Sequence, residues 1–244
     1  MNSKMTDILK YAKCSRTFTA SAFLSSLHGQ EQMSKASLYW YLNQLISMGL
    51  LSRTGRGRYS ILTKSEFTPV IEERMSEVNE TLRARYPFAE TCLYSGSSIS
   101  PLTHHIAPNS ALYVEVSRPA LEGVFSTLRE LGYAAFLKPN KDVMYNYVEL
   151  DKSPVIVKPL VTGSPLRNTD GISVPTIEKL LVDMFCDDDF FYMQGSEYNR
   201  VMENAYEKFN KNDTTLLRYA GRRGVREELE PLVNEIFNRT QHDR

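Results

Sequence analysis

Apolar residues recur at helical spacing three times before residue 50 and then give way to a short alternating stretch. Ile8, Leu9 and Ala12 form the apolar face of a first helix. Thr19 is placed to cap a second. Phe18 precedes it and Phe23 lies at the spacing of a hydrophobic staple, while Phe23, Leu24 and Leu27 face inward and Gly29 ends the helix. A third helix begins near Ser34. Leu38, Tyr41, Leu42, Leu45 and Ile46 fall on one side, and Ala36, Ser37, Tyr39, Trp40, Asn43 and Gln44 on the other, before Gly49 closes it. Residues 51–62 then read as a hairpin around Thr54-Gly-Arg-Gly57, whose glycines tolerate positive φ. Three helices followed directly by a hairpin is the order of a winged helix-turn-helix, expected over residues 1–65.

Further along, residues 66–86 read as a charged connecting helix stopped by Pro87. Strands are expected at 91–94, 111–116, 134–137, 145–150 and 155–161. Helices are expected at 119–131 and 176–185, and at roughly 196–209, 212–223 and 225–238. The fold class is therefore α/β (α+β): the winged helix, then a mixed α/β domain over 87–244 with a helical C-terminal end.

Charge sharpens the picture. The chain of 244 residues has a formal net charge of zero, yet residues 1–65 hold nine Lys/Arg against Asp7 and Glu31. That net of +7 leaves −7 on the remainder, a split that points to a nucleic-acid-binding half. On the third helix the outer face is small and polar at its N-terminal end, as suits entry into a major groove. The candidate DNA contacts are Lys35, Ser37, Tyr39, Trp40 and Asn43 there, with Arg53, Arg56 and Arg58 at the wing set for phosphate or minor groove. An outward Trp40 is equally compatible with a protein-docking winged helix. No run of eighteen apolar residues indicates a membrane span, and the N-terminus lacks a signal peptide's apolar stretch. Cys14, Cys92 and Cys186 are too far apart for a CxxC pair and read as packing residues in a reducing cytoplasm.

Catalytic readings fare worse. Nucleotidyl transfer needs a Gly-Ser turn after one strand and two carboxylates one residue apart on the next, to hold divalent metal at the nucleotide phosphates. Gly96-Ser97 supplies the turn. Tyr113-Val-Glu-Val-Ser117 supplies only Glu115, with Ser117 in the second position and Glu149 as a later candidate. A nuclease pattern fails because Ile156, not an acid, stands two before Lys158. His104-His105 has no third ligand nearby, Asp187–Asp189 reads as a solvated loop, and Ser95, Ser97 and Ser98 form no nucleophile elbow. The expectation is a non-enzyme without cofactor or metal. A nucleotidyltransferase-like enzyme using Glu115 and Glu149 is the alternative, beside the protein-docking module.

The segments Tyr94-Ser-Gly-Ser-Ser-Ile-Ser-Pro-Leu-Thr-His-His105 and Ile172-Ser-Val-Pro-Thr-Ile-Glu-Lys-Leu-Leu-Val-Asp-Met184, together with a winged helix ahead of an α/β domain, resemble the AbiEi-type antitoxins. The resemblance implies a cytoplasmic transcriptional autoregulator that binds inverted repeats in its own promoter, in a type IV toxin–antitoxin system of phage defence. It also implies a genetic partner, a nucleotidyltransferase-like toxin, antagonised without a stable complex.

Overall fold

The computed structural model describes residues 3–27, 33–48, 50–61, 65–103 and 109–242. Along the chain run α1 (Ser3–Ser15), β1 (Thr17–Thr19), α2 (Ala20–Ser26), α3 (Lys35–Ser47), β2 (Leu51–Gly55), β3 (Arg58–Ile61) and β4 (Ser65–Glu66). There follow α4 (Glu73–Arg85), β5 (Thr91–Ser95), β6 (Leu112–Val116), α5 (Leu121–Glu130), β7 (Ala135–Leu137), α6 (Lys141–Tyr147) and β8 (Val155–Pro159). The remainder is β9 (Leu166–Thr169), β10 (Ile172–Pro175), α7 (Ile177–Cys186), α8 (Ser196–Lys208), β11 (Phe209–Asn210), α9 (Asp213–Arg223) and α10 (Arg226–His242). The fold is mixed α/β, in two compact units: Met1–Glu66 with Tyr206–Arg244, and Phe67–Ala205.

In the first unit the caps act as their sequence indicates. Thr19 Oγ1 accepts from the Ala22 amide at 3.0 Å and Ser34 Oγ from the Ser37 amide at 3.1 Å, fixing the starts of α2 and α3. Gly29 and Gly49 lie outside the described residues. Met5, Ile8, Ala12, Phe23, Leu38, Leu42 and Leu45 bury into one core with Phe18, Leu51 and Tyr59. Burial of each large side chain contributes roughly 1.5–3 kcal/mol. A short strand was not expected at β1, whose three residues carry no alternating pattern of their own. It exists because Thr17, Phe18 and Thr19 pair antiparallel with Ser60, Tyr59 and Arg58, giving the sheet order β1-β3-β2. The hairpin turn is Arg56-Gly57, with Gly57 at φ +70 and Gly55 drawn into β2 beyond a bulge.

The C-terminal segment departs from the expected 87–244 domain, because its last 39 residues join the first unit. Asn212 Oδ1 accepts from the Thr215 amide to start α9, and Gly224 at φ +76 ends it. Leu216, Tyr219 and Ala220 of α9, and Leu229 and Val233 of α10, are buried. These amphipathic helices find their cover close by, α9 against β2 and α10 against β1. β11 pairs in parallel with β4.

The second unit is built on the sheet β5-β6-β8-β7, with β5 antiparallel to β6 and the other pairs parallel. The expected connecting helix over 66–86 is shorter, and it is no spacer. Met75, Val78 and Leu82 of α4 are buried in the core with Leu93, Val114 and Val157. The strand expected at 145–150 does not form: residues 145–147 are the end of α6 and a 3-10 turn begins at Leu150. Asn140 Oδ1 caps α6 by accepting from the Val143 amide at 2.9 Å, and the aromatic residues Tyr145 and Tyr147 point to solvent rather than into a sheet. β9 and β10 form an unanticipated hairpin joined by Asp170-Gly171, both at positive φ, as a two-residue turn matching strand twist requires.

Candidate functional site

α3 turns Leu38, Leu42 and Leu45 into the core, so its opposite face is left to solvent. Lys35, Ser37, Tyr39, Trp40 and Asn43 are all exposed on it, Tyr39 at 44% and Trp40 at 57%. Ser37 shares its hydroxyl with Ser34 across the cap at 2.9 Å. Trp40 meets Tyr41 edge to face at 5.0 Å.

The three hairpin arginines occupy different situations. Arg56 stands exposed at the turn. Arg53, also exposed, donates through Nε to the Gly55 carbonyl at 3.3 Å. Arg58 is drawn toward the C-terminal helices, donating to Asn234 Oδ1 at 2.9 Å and lying 3.9 Å from Asp213. These partners lie more than 150 residues along the chain, beyond the reach of any local spacing pattern.

In the second unit the structure gathers charge where none was expected. Glu115 on β6 lies in register with Lys158 on β8 and with Cys92 on β5. The Lys179 ammonium, wholly buried on α7, donates to Glu115 at 2.7 Å and to Asp183 one helical turn on at 2.5 Å. Lys158 donates to Asp187 and Asp189, each at 2.8 Å, and lies 4.0 Å from Glu115. The expected solvated loop at 187–189 is therefore corrected. Asp189 is buried, and it is Lys158 that offsets the desolvation of its carboxylate. Burial raises Glu115 and Asp189 above the usual carboxylate range, and neighbouring lysines only partly counter it. For Lys158, burial acts downward but is outweighed by Asp187 and Asp189, which hold the ammonium well above its ordinary value. Burial also pushes up the Cys92 thiol and the Tyr94 and Tyr113 phenols, and it carries Tyr192 to about 12.

This geometry does not assemble the carboxylate site weighed above. Glu149 is 61% exposed and paired with Lys152. It sits beyond α6 and not on a strand beside Glu115. Glu115 faces ammonium groups, which already occupy the position a divalent ion would need. The Gly96 turn is closed by Asn109: a Cβ on Gly96 would come within 2.2 Å of Asn109 Oδ1. That oxygen accepts from the Ala111 amide, and Asn109 Nδ2 donates to the Tyr113 and Tyr192 hydroxyls. His104 and His105 lie outside the described residues. Among the described residues no group of three His, Cys, Asp or Glu is arranged to hold a metal ion, and no helix is long and apolar enough to cross a membrane. Of the cysteines, Cys92 is a packing residue, Cys186 is half-buried and Cys14 is exposed, contrary to expectation.

The signal that would have exposed the lysines was present. Lys179 stands directly before the apolar Leu180-Leu-Val182 with an acid four residues on, the spacing of a pair on one helix face. Lys158 likewise ends Val155-Ile-Val.

A family model described as "Family of unknown function (DUF6577)" matches residues 37–239, most of the chain, so the chain belongs to that family. No curated protein matches it.

Proposed function

We propose, for this member of a family without an assigned function, that the first unit is a winged helix-turn-helix and that the protein is a sequence-specific DNA-binding transcriptional regulator. One observation carries the reading. The order α1-β1-α2-α3-β2-β3, closed by a β1-β3-β2 sheet, holds α3 with an outer face that mixes polar and aromatic side chains, exposed in the same module as a hairpin turn that presents Arg56. In such a module the second helix of the helix-turn-helix enters the major groove, and phosphate contacts fix the register. Lys35, Ser37, Tyr39, Trp40 and Asn43 are the base-reading candidates. Arg53 and Arg56 are the backbone candidates, and Arg58 is partly engaged within the protein. The second unit is read as non-catalytic, its single strand carboxylate held by lysine.

Fluorescence anisotropy on the gene's own upstream duplex against a scrambled duplex, across a salt series, tests this. Tighter binding to the native site with a steep negative salt slope is expected. Equal, weak binding to both duplexes would sink it. The antitoxin role implied by the AbiEi resemblance extends the same reading to a cytoplasmic autoregulator of a toxin–antitoxin pair. It predicts rescue of growth from a co-transcribed nucleotidyltransferase-like toxin without co-purification, and failure of rescue removes that extension alone.

A second reading is favoured by Trp40 and Tyr39, two large aromatic side chains exposed at consecutive positions of α3. A protein partner seated there would bind with little salt dependence, and the same salt series separates it from DNA.

A further inference from the structure

A groove of about 580 Å³ lies within the first unit, between the β2–β3 turn and helices α9 and α10. Four guanidinium groups line it, those of Arg56, Arg58, Arg218 and Arg226, against the two carboxylates of Asp213 and Glu230. The acids are already engaged. Asp213 accepts from the Tyr206 hydroxyl at 2.7 Å and stands by Arg58, while Glu230 accepts from Arg226 at 3.1 Å along α10. Arg56 and Arg218 have no carboxylate partner among the described residues, and both are exposed. The groove thus carries an excess of two positive charges in a concavity of ligand size.

Its walls are fixed independently of any ligand. The Gly57 carbonyl accepts from the Ala20 amide at 3.0 Å, pinning the turn that carries Arg56. Tyr219 and Ala220, next to Arg218, are buried and anchor α9. Guanidinium groups pair with phosphate oxygens through two parallel hydrogen bonds, and a phosphomonoester carries about −1.5 to −2 near neutral pH, which matches the excess. We propose that this groove is a binding site for a phosphate group, taken between Arg56 and Arg218. Two sources share that chemistry: a small phosphomonoester of nucleotide size, and a phosphodiester of the DNA backbone. Only in its DNA form does the proposal rest on the winged-helix reading.

The test uses the full chain and two assays. Isothermal titration with adenosine monophosphate, and with adenosine as the uncharged control, reads the first source. Anisotropy on duplex DNA across salt reads the second. Variants are Arg56→Ala, Arg218→Ala and, as a charge control outside the groove, Arg222→Ala, each checked for wild-type melting. Nucleotide binding that is absent for adenosine, weakened roughly tenfold or more by Arg56→Ala and Arg218→Ala, and unchanged by Arg222→Ala establishes a small-ligand site. No nucleotide binding, but a salt slope reduced by about one unit in both Arg56→Ala and Arg218→Ala, assigns the groove to the DNA backbone. Variants that melt normally and change neither assay overturn the proposal. In that event, loss of sequence preference in Asn43→Ala would still leave the DNA reading standing. Conversely, Arg218-dependent nucleotide binding by a protein that ignores DNA keeps the groove and ends the DNA reading.

Discussion

The two units use charge in opposite ways. In the first, Lys35, Arg53 and Arg56 stand in solvent around an exposed helix face. In the second, Lys158 and Lys179 lie inside, with Glu115, Asp183 and Asp189 closed around them. Solvated cations are available to an outside anion and contribute little to stability. Buried ones are committed, and their removal leaves opposing carboxylates stranded in a low-dielectric interior. A count of charged residues does not separate the two situations, whereas burial does.

The sharpest way to break this contrast is Lys179→Met. It strips Asp183 of the Lys179 ammonium and leaves Glu115 with only the more distant Lys158, and a loss of about 3–5 kcal/mol is expected, read as a lower denaturant midpoint by circular dichroism. If the variant unfolds at the wild-type midpoint, the buried pairs are not structural. Arg56→Ala is the opposite case. Stability should stay within about 0.5 kcal/mol, while affinity falls for native and scrambled DNA alike and the salt slope drops by about one unit. Unchanged binding at every salt concentration would remove the turn from the interface.

A smaller effect is expected from Ser34→Ala, which deletes the hydroxyl that accepts from the Ser37 amide. Loss of the cap should cost about 1 kcal/mol and lower sequence-specific binding more than nonspecific binding, because the frayed end carries Lys35 and Ser37. Equal losses on both duplexes would place the reading face elsewhere on α3.

These elements also mark what the chain discloses before folding. Caps are local, so Thr19 and Ser34 were legible, as was the apolar face of α3. The Asp170-Gly171 turn is equally local, but the two short strands it joins show little alternation to announce it. β1 was not legible, since only pairing with β3 makes Thr17–Thr19 a strand. Nor was α6, where Tyr145 and Tyr147 imitate strand composition while Asn140 sets a helix start. The docking of α9 and α10 beside β1 and β2 joins the ends of the first unit across more than a hundred residues, and no spacing rule reaches that far. At the candidate interface the exposed α3 residues could be named in advance. Arg58's attachment to Asn234 and the groove beside it required the fold.

The subtlest test lies inside the second unit, on Glu115. Burial raises its carboxyl above the ordinary value of 4.5, against the pull of Lys179 and Lys158. A group raised on folding contributes stability that is full below its unfolded value and is lost as pH rises through the folded one. Glu115→Gln removes that dependence while keeping the shape. The stability of the wild type relative to Glu115→Gln should therefore fall between pH 4 and pH 7, the neutral amide overtaking the buried carboxylate, measured as paired thermal melts in matched salt. If Lys179 instead dominates, the carboxyl is depressed and the wild type gains on the variant toward neutrality. The direction of that one slope says whether the cluster is governed by desolvation or by pairing, and hence whether charge in this unit is tolerated by the fold or holds it together.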